Sequence, residues 1–236
     1  MKVLVTIGED VRKSEGPPNK SGRRSPWAHA SAIMTKHPND VAYTAAVRGV
    51  QERLGSRSIN EQMAEERAER TAVTPELAGF VERMDMLYLG TASLAGQPYI
   101  QYRGGPVGFL KVIDEHTLGF ADYAGNRQYI SLGNLAENPR AYLFLMDYVN
   151  AQRVKLWGTA RVVYDDPALL KRLADPTYKA KPERVILFTI TAWDPNCPRH
   201  IHQRYPAAVV APMIEQLQTR IASLEARLRA AGLSGE

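Results

Sequence analysis

Apolar positions follow three different rhythms along this chain. From Asp40 to Gly55, Val41, Thr44, Val47, Val50 and Leu54 recur at helical spacing, with Asp40 suited to the N-cap and Gly55 to the stop. A charged, helix-favouring run covers Asn60 to Arg70, and Thr74-Pro75-Glu76 has the form of an N-cap with proline in the first turn, opening a short helix to about Met84. At Met86 the period drops to two: Leu87, Leu89 and Thr91 alternate with Tyr88, Gly90 and Ala92, and Ala95-Gly96-Gln97-Pro98 makes a turn. Strands are predicted near 86–93, 98–103, 107–113 and 117–122, a helix over 127–136 ending at Asn138-Pro139, a long hairpin over 140–148 and 151–164, a short helix after Asp166-Pro167, and a last strand over 185–193. Beyond Pro212 the rhythm changes again. Ile214, Leu217, Ile221, Leu224 and Leu228 step 3-4-3-4 with Arg, Glu and Gln between them, a heptad pattern that either pairs with a second copy or packs on its own domain.

Short strands joined by hairpin-length turns, with one helix inserted, predict a mainly β fold with α elements, a small antiparallel barrel instead of a parallel α/β sheet. The chain divides into a flexible basic arm (1–26), a helical N-terminal extension (27–74), a β-rich domain (75–205) and a C-terminal amphipathic helix (206–236).

Composition narrows the class. The 236 residues are 44% hydrophobic and 23% charged, which places the chain among ordinary globular proteins. A net charge of +5 favours phosphate-bearing ligands, but its cations are dispersed and form no nucleic-acid recognition motif. Cys197 is the single cysteine, so an intrachain disulfide is excluded. No apolar run is long enough to span a bilayer, and the first residues lack a signal-peptide pattern, so a cytoplasmic location away from membranes is expected.

Candidate chemistry concentrates between Gly96 and Arg140. Arg103 precedes Gly104-Gly105-Pro106, and Arg127 follows Gly125-Asn126 where a helix is expected to begin. Glycines permit close backbone approach, a helix start offers free N–H groups, and two guanidiniums at separated turns can converge on one phosphate. In the 151–164 strand, alternation puts Arg153, Lys155 and Trp157 on one face, either a ligand groove or a solvated surface. Cys197, His200 and His202 lack the second ligand pair that zinc requires, so no metal site is expected. Neither a P-loop, a dinucleotide glycine fingerprint, HExxH nor a nucleophile elbow occurs.

Gly96-Gln97-Pro98-Tyr99, Phe109-Leu110-Lys111, Ala124-Gly125-Asn126-Arg127-Gln128 and Asn138-Pro139-Arg140 together resemble the pyridoxamine 5'-phosphate oxidase-related flavoproteins, over about residues 75 to 200. The resemblance implies a six-stranded split β-barrel and a homodimer with FMN at the subunit interface. It places Arg103, Phe109, Leu110 and Lys111 on the first FMN-contacting strand pair, and Ala121 and Asp122 on the next strand end. Asn126, Arg127 and Gln128 fall at the FMN phosphate. Arg153, with Lys155 beside it, falls where the partner's isoalloxazine is contacted, and Trp193 and the His200 loop fall where the flavin is covered. Tyr102 and Trp157 would line a pocket for a small organic substrate. True pyridoxamine phosphate oxidases end in an Arg-Leu-x-Pro segment, whereas this chain reads Ala192-Trp193-Asp194-Pro195-Asn196-Cys197-Pro198-Arg199-His200, so a vitamin B6 substrate is not expected. The expectation is an FMN-dependent oxidoreductase. The alternatives are a non-catalytic flavin carrier or sensor, and a haem or deazaflavin binder on the same barrel.

Overall fold

The computed structural model describes residues 41–65, 70–195 and 198–232. The basic arm, Asp40 and Cys197 lie outside the described residues.

Helix α1 (Ala45–Arg53) begins at Thr44, whose hydroxyl accepts from Val47 N at 3.3 Å, and the chain turns off at Gly55 with φ 71. Helix α2 (Arg57–Glu65) carries an i,i+4 ion pair between Arg57 and Glu61. Helix α3 (Pro75–Val81) starts as predicted: Thr74 Oγ1 accepts from Leu77 N and Pro75 occupies the first turn, where a missing N–H costs nothing. It buries Leu77, Phe80 and Val81.

Seven strands form one antiparallel-paired sheet: β1 (Met86–Ala92), β2 (Pro98–Gly104), β3 (Lys111–Val112), β4 (Thr117–Tyr123), β5 (Arg140–Asp147), β6 (Gln152–Val163) and β7 (Pro182–Pro195). The spatial order is β2-β1-β5-β6-β7-β4-β3. Two helices are inserted, α4 (Ile130–Glu137) after β4 and α5 (Pro167–Leu173) after β6. Asp166 caps α5 by accepting from Leu169 N at 2.8 Å.

The count differs from the six strands of the expected barrel, and the predicted strand over 107–113 shrinks to two residues. Gly105 N donates to Asp85 O at 2.9 Å and Gly108 N, at φ 78, to Met84 O at 2.8 Å, so this stretch folds back on the end of α3 instead of extending. Its reward is burial of Phe109 and Leu110 in the main core, Phe109 meeting Phe120 edge-on at 5.9 Å.

Period-two alternation settles which residues enter that core. Leu87, Leu89, Leu143, Leu145, Val154 and Leu156 face inward with Phe188, Ile190 and Trp193. Tyr88, Tyr142, Phe144 and Trp157 face outward, where Tyr142 stacks near Phe144 and meets Trp157 edge-on at 5.5 Å. The described residues separate into two compact units, one comprising those within 41–146 and 153–195, the other those within 147–152 and 198–232. Within the second unit, Arg204 N donates to Tyr148 O and its guanidinium lies over the Tyr148 ring, and helix α6 (Ala207–Ala230) follows, none of its residues buried.

Candidate functional site

The first unit holds a small cleft built by β2, β4, β7 and the segment leading into α4. The space within it, open solvent included, is about 300 Å³. Alternation along β2 turns Gln101 and Arg103 away from the outward-facing Ile100 and Tyr102. Arg103 Nη1 donates to Asp122 Oδ1 and Nη2 to Gln101 Oε1 at 3.0 Å, while Gln101 Oε1 also accepts from Ser131 Oγ at 2.7 Å. Across the β4/β7 ladder Asp122 is registered with Arg184, just before a register shift at Tyr123. Arg184 Nη1 stands 3.6 Å from Asp122 Oδ2, Nη2 is bonded to Glu183, and the guanidinium lies 5.4 Å from the Tyr129 ring and 5.8 Å from that of Tyr164.

Arg127 completes the cleft, but not from the first turn of a helix. It has φ 61 and Tyr129 φ 53, both left-handed, and α4 starts only at Ile130. Asn126 Oδ1 accepts from Gln128 N at 3.2 Å, the side-chain turn typical of Asn. Two left-handed non-glycine residues within three positions are strain of the kind that concentrates at ligand sites. Their effect is to present Gly125, Asn126, Arg127 and Tyr129 to the same cleft as Arg103 and Arg184.

The charges are unequal. Arg103, Arg127 and Arg184 face Asp122 and Glu183, leaving the cleft net positive. The Nε–H groups of Arg103 and Arg184 are buried and have no acceptor. A buried donor without a partner carries a desolvation cost that an incoming anion removes. Burial pushes the Asp122 carboxyl up from its ordinary range, against the opposing pull of Arg103 first and Arg184 second. An acid raised by folding contributes stability below its folded pKa and loses it as pH rises through that value. The protein should therefore gain stability relative to an Asp122→Asn variant as pH falls from neutral towards the ordinary carboxylate value. Paired urea titrations across that window check the sign; parallel curves would rule it out.

The other sequence candidates fall elsewhere. The side chains of Phe109, Leu110 and Ala121 are buried in the hydrophobic cores, so only their backbone is available to a ligand. Lys111 Nζ is turned back to Gly108 O at 3.2 Å. Gln128 is exposed and does not line the cleft. Trp193 corrects the expectation of a ring reaching over a flavin: it is 1% exposed, its Nε1–H donates to Ala72 O at 2.8 Å, and Arg70 lies 5.0 Å above it. Lys155 and Arg70 share the two oxygens of Asp194, at 3.0 and 3.1 Å. Arg153 shares the outer face with Tyr142 and has a buried Nε without acceptor; burial pushes the Tyr142 phenol up to about 12 despite that cation, so it stays a donor. Tyr102 is exposed with its ring edge-on to Tyr88, and Trp157 sits beside Lys155 at 5.3 Å. His200 belongs to the second unit, at φ 65. Among the described residues no group of His, Cys, Asp and Glu is arranged to hold a metal ion.

Comparison with known proteins now decides the family. The family model described as "Pyridoxamine 5'-phosphate oxidase" matches residues 73–197, more than half of the chain and all of the seven strands. The chain belongs to the pyridoxamine 5'-phosphate oxidase family. No curated protein matches it. Solved structures similar to it include HupZ of Group A Streptococcus, with 15% identity, covering 56% of this chain and 99% of that one at a TM-score of 0.43. An FMN-binding protein from Syntrophomonas wolfei shares 15% identity over 62% of this chain and 97% of its own, at 0.42. The haem storage protein HutZ from Vibrio cholerae shares 18% over 50% and 88%, at 0.34. In this member of the pyridoxamine 5'-phosphate oxidase family, Arg184, Glu183, Gln101 and Tyr129 join the cleft without having been legible beforehand. A charged Glu183-Arg184 pair at the edge of an apolar strand run was the available signal, and only the β4/β7 register brings it to Asp122.

Proposed function

We propose that the chain is an FMN-dependent oxidoreductase acting on a small organic substrate, with the flavin phosphate held between Arg103, Arg127 and Arg184. The observation that carries this is the net-positive cleft whose Arg103 and Arg184 Nε donors have no acceptor. A dianionic phosphate suits such a donor set better than a neutral ligand does, because guanidinium–phosphate contacts are charge-assisted and geometrically specific. Bound there, FMN would supply the redox chemistry, and the protein would supply binding, orientation and electrostatics. Arg103 is held in place by Asp122 and Gln101, so its fork is oriented before a ligand arrives. Ile100 and Tyr102 stand exposed on the outer face of β2 beside Tyr88, apolar cover suited to a second subunit. Arg153 on the same outer face would serve the partner's cofactor, and Tyr102 and Trp157 the substrate.

The visible spectrum of the purified protein, after incubation with FMN, tests the cofactor. Bound-flavin absorption is expected; its absence sinks the reading, and a Soret band in its place would move the chain to haem. Replacing Arg127 by alanine should weaken FMN binding by about 1.5–3 kcal/mol, the scale of a charge-assisted hydrogen bond. Unchanged affinity would remove Arg127 from the phosphate site. Turnover separates an enzyme from a carrier: chemically reduced holoprotein should be reoxidised rapidly by a small organic acceptor, and inertness to a panel of such acceptors would favour the carrier.

A further inference from the structure

Helix α6 runs 24 residues from Ala207 to Ala230, about 36 Å at the α-helical rise, and buries none of them. Met213, Ile214, Leu217, Ile221, Leu224 and Leu228 are each at least 40% exposed. A long helix with an uncovered apolar seam is marginal in water, so the identity of those positions and the charges beside them bear on what covers it.

With Ile214 as a, the heptads read Ile214 and Ile221 at a, Leu217 and Leu224 at d, and Leu228 at the third a. β-Branched residues at a with leucine at d favour two parallel strands over higher oligomers. The flanking charges agree. In a parallel in-register pair, a g residue faces the e residue five positions further along the other helix, and here that places Arg220 opposite Glu225 of a second copy, twice by symmetry. In an antiparallel pair g faces g, and Arg220 and Arg227 would oppose arginine with arginine. Pro212, the helix's interior proline, falls at f, on the side away from the seam and ahead of the first a residue, so its lost hydrogen bond leaves the seam intact.

We infer that the seam of α6 is an interaction surface for a second copy of this chain, forming a parallel, in-register two-stranded coiled coil. Two to three heptads are too short to associate strongly alone. The homodimer proposed above supplies what is missing, since one interface raises the effective concentration for the second without any new contact; the inference rests on that reading to this extent only. A glutamate at e and an arginine at g also disfavour partners whose e and g residues carry the reverse order, which makes self-pairing selective.

Cysteine crosslinking of the full-length chain on a Cys197→Ser background tests orientation and register together. A Leu224→Cys substitution at d brings two thiols within disulfide reach only when the helices are parallel and in register. Ala222→Cys, one turn-face away at b, does not. On mild oxidation Leu224→Cys should migrate as a covalent dimer on non-reducing gels and Ala222→Cys as a monomer. Arg220→Glu in the Leu224→Cys background should lose the crosslink, and Arg220→Glu with Glu225→Arg should recover it. Equal crosslinking at 222 and 224, none at 224, or no recovery in the charge swap would overturn the coiled coil. Solution mass by light scattering keeps the two readings apart. A dimer in which Leu224→Cys fails to crosslink retains the barrel dimer and rejects the coiled coil; a monomer that fails loses both.

Discussion

Replacing Arg103 with alanine is expected to cost the ligand-free protein about 3–5 kcal/mol at neutral pH, the range for removing one partner of a buried ion pair. The reason lies in what remains. Asp122 is 4% exposed, and with Arg103 gone its nearest cation is Arg184 at 3.6 Å, itself shared with Glu183. Arg103 is the strongest influence pulling the Asp122 carboxyl down against burial, so its loss sends that carboxyl further up. The sign of the pH dependence follows: a raised acid is stabilising when protonated, so the Arg103→Ala penalty shrinks as pH falls and the buried carboxyl takes up its proton. A second replacement should therefore rescue the first. Arg103→Ala with Asp122→Asn is expected to be more stable than Arg103→Ala alone at neutral pH, with the gap closing in acid. Urea titrations of the four proteins of this double-mutant cycle measure it, and an additive cycle at neutral pH would mean that the pair is not coupled. Flavin affinity gives a separate readout. It should fall with Arg103→Ala and stay low in the double variant, because neutralising Asp122 restores the fold without restoring a phosphate ligand.

The contrast between fold and cleft shows what a sequence can carry. Helix α3 was readable because Thr74 and Pro75 act locally, and β1, β5 and β6 because one buried face enforces period two. The strand expected over 107–113 failed for a non-local reason. Phe109 and Leu110 are buried, but by folding over α3 instead of by pairing, while Val107 stays exposed, and apolar content does not distinguish these outcomes. Trp193 failed in the same way: a large ring near the chain's polar loop reads equally as core or as cover, and only the bond to Ala72 O settles it as core. Arg127 drew attention as a helix start after a Gly-Asn turn, and it reaches the cleft from a left-handed conformation ahead of the helix.

Arg103 and Arg184 illustrate the limit more sharply. Both are strand residues whose alternation gives a face but no neighbour. Asp122 meets Arg184 through register with β7 and meets Arg103 because β2 lies at the other side of the curved sheet. The curvature that closes this distance is a property of bulges, and bulges are weakly encoded in any one strand. The family resemblance supplied Arg103 and Arg127 by position. The third arginine, and the carboxylate that orients two of the three, emerge only from the sheet.

A single glycine tests whether that curvature is needed. At Trp157 and Gly158 the β6/β7 register shifts: Trp157 pairs with Ala192 and Gly158 with Ile190, leaving Thr191 without a partner on β6. A methyl group at 158 would lie 2.0 Å from the backbone oxygen of Thr189 and 2.8 Å from Phe188 Cζ. Phe188 is wholly buried and the Thr189 oxygen belongs to the strand itself, so neither can move without shifting β7. Gly158→Ala is therefore expected to destabilise by about 3 kcal/mol or more, at or beyond the top of the range for overpacking a core. In a chain of this size that lowers the melting temperature by roughly 6–12 °C. Because β7 also carries Arg184, the variant should bind FMN more weakly even at temperatures where it is folded. Gly133→Ala is the matched control: in helix α4, with no atom near the added methyl, it should be neutral or stabilising by up to about 1 kcal/mol. If Gly158→Ala melts with the unmodified protein, the bulge tolerates a side chain and the link from sheet curvature to the arginine cleft is lost. If it melts early but binds FMN undiminished, the curvature holds the fold while the cleft is set by β2 and the Arg127 turn alone.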